Sequence, residues 1–182
     1  MKRLLVAVMM LLLLCGCAKG PDSTLEQLRR HLSDGSGATY SVELTAFYSD
    51  YEIPFRLDCE AYSDGEVRFS VSSPETIEGI VGVVSAEGAE LVFEDVVLGV
   101  PLLGQSHISP MLAPWIFFRA LCDGEVERAG TRDGAPVTIT EVLQDEQLRI
   151  DIYFSQQLPS ACEVYCDGSR ILSMEIGGFC IK

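Results

Sequence analysis

Between Tyr40 and Ala61 apolar and polar residues change places at nearly every step. Tyr40, Val42, Leu44, Ala46 and Tyr48 alternate with Ser41, Glu43, Thr45 and Phe47; Ile53, Phe55, Leu57, Cys59 and Ala61 alternate with Arg56, Asp58 and Glu60. A period of two puts one set of side chains on each face of a strand, so these segments predict half-buried antiparallel strands. Ser63-Asp64-Gly65-Glu66 is a tight-turn signal, and Val67, Phe69 and Val71 open a third strand that ends at Pro74. Residues 74–79 read as a short helical or turn segment, and 80–85 with 91–93 as a hairpin around Glu87-Gly88. The alternation returns in 137–140, in Leu148, Ile150, Ile152 and Phe154, and in Val164. Asp167-Gly168 predicts a two-residue hairpin turn, and Gly177-Gly178 a turn into a short last strand over 179–182. The total is about nine or ten strands. No strand–helix–strand alternation appears, which argues against a parallel sheet.

Two stretches carry a helical period instead. Near the start, Ser23 can cap a helix with Glu26 three residues on, and Leu25, Leu28 and Leu32 recur on one face. Arg29, Arg30 and His31 fall near its C-terminal end, where positive charge suits the helix dipole, and Asp34-Gly35-Ser36-Gly37 stops it. The second stretch, 101–122, breaks the strand pattern. It holds ten large apolar residues, three prolines and a single charge, Arg119. Ser109 as cap and Pro110 at the first position predict a helix over 109–121, with Pro114 close enough to the start to be tolerated. A helix apolar nearly all round must be buried on more than one side. It is either a plug filling the core or a mobile lid over an apolar cavity. As a lid, Leu112, Trp115, Ile116, Phe117, Phe118 and Leu121 would face that cavity.

The first residues add an address. Lys2 and Arg3 precede an apolar run of eleven residues, Leu4 to Leu14, which suits a secretory signal better than a membrane span of roughly 20. Leu14-Cys15-Gly16-Cys17 resembles the bacterial lipobox, with Cys17 as the acylated residue; Cys15 fits less well because bulky Leu14 precedes it. The expected organisation is a lipoprotein signal over 1–16, a lipidated cysteine and short tether over 17–23, and a single domain over 24–182. The expected location is extracytoplasmic, at the cell membrane or envelope, held by two or three acyl chains because one binds only marginally.

Charge and cysteines narrow the chemistry. Cleavage before Cys17 removes 16 of 182 residues and two of the 13 basic side chains, taking the formal charge from −14 to −16. Such a surface repels phosphate backbones, so nucleic-acid binding is disfavoured, and membrane attachment falls to the lipid. Five cysteines remain: Cys59, Cys122, Cys162, Cys166 and Cys180. The odd number leaves at least one unpaired in a monomer, and the spacing fixes no pairing. Cys162 and Cys166 lack the second ligand pair of a structural zinc site, so no metal and no cofactor are expected. His107 follows Gly104-Gln105-Ser106 without the frame of a nucleophile elbow, His31 sits at a helix end, and no phosphate loop, zinc-protease motif or calcium loop is present. The expectation is a non-enzymatic protein.

The order of these elements is similar to that of the lipoprotein-carrier (LolA/LolB-like) superfamily, including clostridial germination lipoproteins of the GerS kind. The resemblance rests on Gly65-Glu66-Val67-Arg68-Phe69-Ser70-Val71 followed by Pro74-Glu75 and Ile80, then the Gly88 turn and Leu91-Val92-Phe93. It implies an α+β fold in which a strongly curved antiparallel sheet, a half-barrel, is covered on its concave face by the N-terminal helix and the apolar insert. It also implies a concave face able to accommodate acyl chains or a partner. No functional arginine or protruding loop of that family can be matched to a position here. Two functions follow: an anchored binding protein for a lipid, lipopeptide or hydrophobic protein segment, or an envelope structural or regulatory protein acting through a protein partner with no small ligand. In the second, exposed acids such as Asp145 and Glu146 would dock the partner.

Overall fold

The structure is a computed structural model that describes residues 21–94, 96–100, 103–104, 107–128, 136–143 and 146–182. Cys17 and the signal lie outside the described residues, as does Asp145. Helix α1 spans Pro21–Asp34. Six strands follow as a meander: β1 (Gly37–Phe47), β2 (Glu52–Tyr62), β3 (Val67–Ser73), β4 (Val81–Ser85), β5 (Gly88–Phe93) and β6 (Val96–Val100). A small hairpin, β7 (Leu103–Gly104) and β8 (His107–Ile108), leads into helix α2 (Ala113–Asp123). A second meander completes the chain: β9 (Glu125–Arg128), β10 (Val137–Leu143), β11 (Glu146–Ser155), β12 (Leu158–Cys166) and β13 (Ser169–Ile181).

The last strand returns to pair with the first, so the two meanders fuse into one sheet in the order β6-β5-β4-β3-β2-β1-β13-β12-β11-β10-β9. Eleven strands, all antiparallel, is one more than the upper sequence count. Two strands are added at the edges, β6 and β9, whose described side chains are exposed on both faces and so carry no period-two signal, while two expected strands merge into β13. The sheet is curved and not closed. Packing requires the curvature: α2 touches β2 and β3 on one side and β10 on the other. Strands β3 and β10 are six positions apart in the sheet, about 29 Å if it were flat at roughly 4.8 Å per strand, against a helix diameter of about 10–12 Å. The sheet must therefore wrap around the helix. This is the half-barrel that the resemblance implies.

Local details follow the turn chemistry. Asp167 and Gly168, at φ 50° and 77°, make the predicted two-residue turn between β12 and β13. The Pro74 segment is a short 3-10 turn over Glu75–Ile77. The Gly177-Gly178 turn is corrected. The chain runs straight on as one 13-residue strand, and the glycines form a bulge: β1 advances from Thr39 to Ser41 while β13 advances from Cys180 to Gly177. Gly178 takes φ 59°, which absorbs the extra residue without reversing the chain. The insert also begins differently. Ser109 makes no side-chain cap bond; Pro110–Leu112 form a 3-10 turn, and the α-helix starts at Ala113 with Pro114 in its first turn. The helical path covers the predicted span and continues through Asp123.

Candidate functional site

The connection from β6 to β9 runs between opposite edges of the sheet, and α2 lies on that path across the concave face. Eight of its eleven residues are buried: Ala113, Pro114, Trp115, Ile116, Phe117, Phe118, Ala120 and Leu121. Leu112 is buried just before it. All six residues expected to face a cavity are thus brought together, but into the packed core with the strand residues Leu44, Leu57, Ile139 and Ile150. An aromatic trio anchors the helix. Phe117 meets Tyr40 edge-on at 5.4 Å and Phe179 at 6.5 Å, and Tyr40 stacks on Phe179 at 5.7 Å. The buried Tyr40 hydroxyl donates to the Pro114 carbonyl at 3.0 Å.

The other end of α2 is held from α1. Arg29 donates from Nε to the Leu121 carbonyl at 2.8 Å and from Nη2 to Ala120 and Gly124 at 3.1 and 2.6 Å. Helix C-terminal carbonyls lack intrahelical partners, and a guanidinium satisfies several at once. The sequence places Arg29 near the end of its own helix; the fold uses it on the other one. Gly124 follows because a Cβ there would lie 2.4 Å from Ile139 Cγ2.

Where α1 and α2 meet the sheet rim, a cleft of about 510 Å³ opens between the helices and the turns following β2 and β4. Of the six expected residues only Trp115 and Phe118 line it; Leu112, Ile116, Phe117 and Leu121 do not. The residues that pattern reading missed are Leu32, Arg29 and Arg30 from α1, and Arg119 and Cys122 from α2. Arg119 stands over Trp115, its guanidinium carbon 5.4 Å from the ring centroid, and pairs with Glu141 of β10 at 3.5 Å. Burial raises the Glu141 carboxyl from its ordinary value, with Arg119 working in the opposite direction. One sequence signal for this cleft existed: a lone charge on an otherwise apolar helix marks the side that reaches water.

Four of the five cysteines pack in or against the core, and Cys180 is exposed. All five are free. Burial pushes Cys59 and Cys162 far upward and Cys122 up to about 12, so each stays protonated at neutral pH. Cys162 and Cys166 lie four apart on one strand, about 13 Å along it, too far to share an ion. The Glu146, Cys166 and Asp167 ligand atoms lie within 4.8 Å of one another. Burial and the bond to Glu146 raise the Cys166 thiol from its ordinary value. His31 is exposed on α1. Among the described residues no helix is long and apolar enough to cross a membrane.

No protein-family description and no curated protein matches the sequence. Among solved structures, a LolA superfamily protein from Nitrosomonas europaea is similar over 91% of this chain and 94% of that one, with 9% identity and a TM-score of 0.49. An outer membrane lipoprotein-sorting protein domain from Vibrio parahaemolyticus is similar over 90% and 92%, with 10% identity and a TM-score of 0.45. The lipoprotein LppX from Mycobacterium tuberculosis is similar over 87% and 95%, with 13% identity and a TM-score of 0.38. The class of protein is set by the chain's own sheet order and helices: an open antiparallel half-barrel with its concave face filled.

Proposed function

We propose that this chain is a lipid-anchored, extracytoplasmic, non-enzymatic binding protein that holds an apolar ligand, an acyl lipid, lipopeptide or hydrophobic protein segment, against α2. The anchor is Cys17, acylated after removal of 1–16, and the body sits close to the bilayer because only three residues separate Cys17 from Pro21. The observation that supports the binding reading is the cleft at the helix–rim junction, with Trp115, Phe118 and Leu32 in its lining. Its volume falls within the roughly 300–1,000 Å³ of small-molecule sites, and its mixed lining matches their character. Because Leu112, Ile116, Phe117 and Leu121 fill the core, a chain longer than the cleft can enter only if α2 shifts.

One observation favours a second reading, docking of a protein partner with no small ligand: the edge strand β6 exposes Val96, Val97 and Leu98, each more than half accessible. Native mass spectrometry with lipid extraction separates the two. Co-purifying acyl lipid, lost when Phe118 is replaced by aspartate in a protein that keeps its circular dichroism, supports the cleft. A clean apo mass from cells rich in lipid would overturn it and leave the edge strand as the functional surface.

A further inference from the structure

The cleft reverses the charge of the molecule around it. The whole chain carries −14, yet the cleft gathers Arg29, Arg30 and Arg119, three of only 13 basic side chains, against Asp64 and Asp123. Arg29 is committed to the carbonyls at the end of α2. The other two are lightly held. Arg30 pairs with Glu26 at 3.5 Å with both side chains about 70% exposed, and Arg119 pairs with Glu141 at 3.5 Å. Both pairs are long, and the exposed Arg30–Glu26 pair holds its guanidinium only weakly, so Arg30 changes partner readily, while Arg119 is 40% exposed beside a largely buried Glu141. Glu141 competes weakly because burial disfavours its charged form. The apolar part of the lining is adjacent, since Arg119 lies over the ring of Trp115.

Resting on the reading that an apolar ligand occupies this cleft, we infer that the ligand is an amphiphile with an anionic head. Arg30 and Arg119 pair a phosphate or carboxylate at the mouth, and Trp115, Phe118 and Leu32 receive the chain. Arginine suits this role because its planar fork binds such oxyanions bidentately, and the water-facing position lets the head stay hydrated while the chain is buried.

Trp115 is the chain's single tryptophan, so its fluorescence reports this cleft. The test titrates residues 21–182, which retain every described element, with dodecyl phosphate, dodecyl maltoside and inorganic phosphate. Dodecyl phosphate is expected to bind about tenfold tighter than the maltoside, the difference one charge-assisted bond supplies. The double variant Arg30→Gln, Arg119→Gln loses that factor, whereas Arg56→Gln, an exposed arginine paired with Glu43 on the sheet, keeps it. Equal binding of the two amphiphiles overturns the anionic-head assignment and leaves the binding reading intact. Binding of inorganic phosphate as tightly as dodecyl phosphate overturns it too, because the chain then contributes nothing. If neither amphiphile binds, the binding reading fails with it.

Discussion

Arg29 bonds with one side chain to two carbonyls of α2 and to that of Gly124 just after it, reaching 91 to 95 residues along the sequence. Replacing it with alanine leaves those part-buried acceptors without a charged donor, at an expected cost of about 2–3 kcal/mol in urea unfolding. Lysine restores only part of this, because an ammonium is a point charge rather than a fork. Glu163, on the outer face of β12, shows a different balance. Burial works to raise its carboxyl, but bonds from Arg170 at 2.6 Å, Tyr165 at 3.0 Å and Tyr153 at 3.1 Å outweigh it and hold the group below the ordinary glutamate range. A carboxylate lowered on folding stabilises fully above its unfolded value near 4.3, and that contribution disappears as the pH falls through the lowered folded value. Urea midpoints should therefore be lower for Glu163→Gln than for the parent at neutral pH, and the gap should narrow as the pH falls below the unfolded value near 4.3 and through the lowered folded value. A gap that stays constant into acid would refute the ionic account.

At the scale of elements, β4 shows how backbone and core interlock. Gly82 lies opposite Phe69 of β3, and the buried ring covers it so closely that a Cβ would fall 2.1 Å from Phe69 Cζ. Gly82→Ala is expected to cost about 1–3 kcal/mol by overpacking, whereas Gly99→Ala on β6, with open space around it, should be neutral or slightly stabilising. Thermal melts of the two single variants give the comparison directly; equal shifts would mean that the Phe69 ring moves aside freely. The alternation that made β1 to β3 legible has the same origin as this contact. One face of each strand is pressed on the core, so the side-chain period of two becomes a period in hydrophobicity. The bulge at Gly177-Gly178 was misread as a turn because two glycines carry the same local freedom in either, and only the partner strand's register tells them apart.

For the molecule as a whole, the open sheet leaves two edges of opposite character. Strand β9 carries Glu125, Glu127 and Arg128, which discourage edge pairing, while Val96, Val97, Leu98, Gly99 and Val100 of β6 carry no charge. An uncharged, apolar edge is a template for strand addition, so the protein should self-associate through β6 on concentration or mild heating. Val97→Lys places a charge at a 60% exposed position and should reduce light scattering while moving the unfolding midpoint by less than about 0.5 kcal/mol. Scattering unchanged by that substitution would locate the association elsewhere.

The sequence alone determined the element types, the antiparallel class, the two helices and the burial of the apolar insert. These depend on local periods and on turn residues such as Asp167-Gly168, which act over a few positions. It also left the insert as plug or lid, and the cleft unseen. Only the tertiary structure decided that all six insert residues pack into the core, that Trp115 and Phe118 also line a cleft with Arg29 and Arg30, and that Arg29 holds the end of α2. Those facts depend on how far an eleven-strand sheet curves around one helix. That curvature is a collective property of packing and carries no signature in any single stretch of the chain.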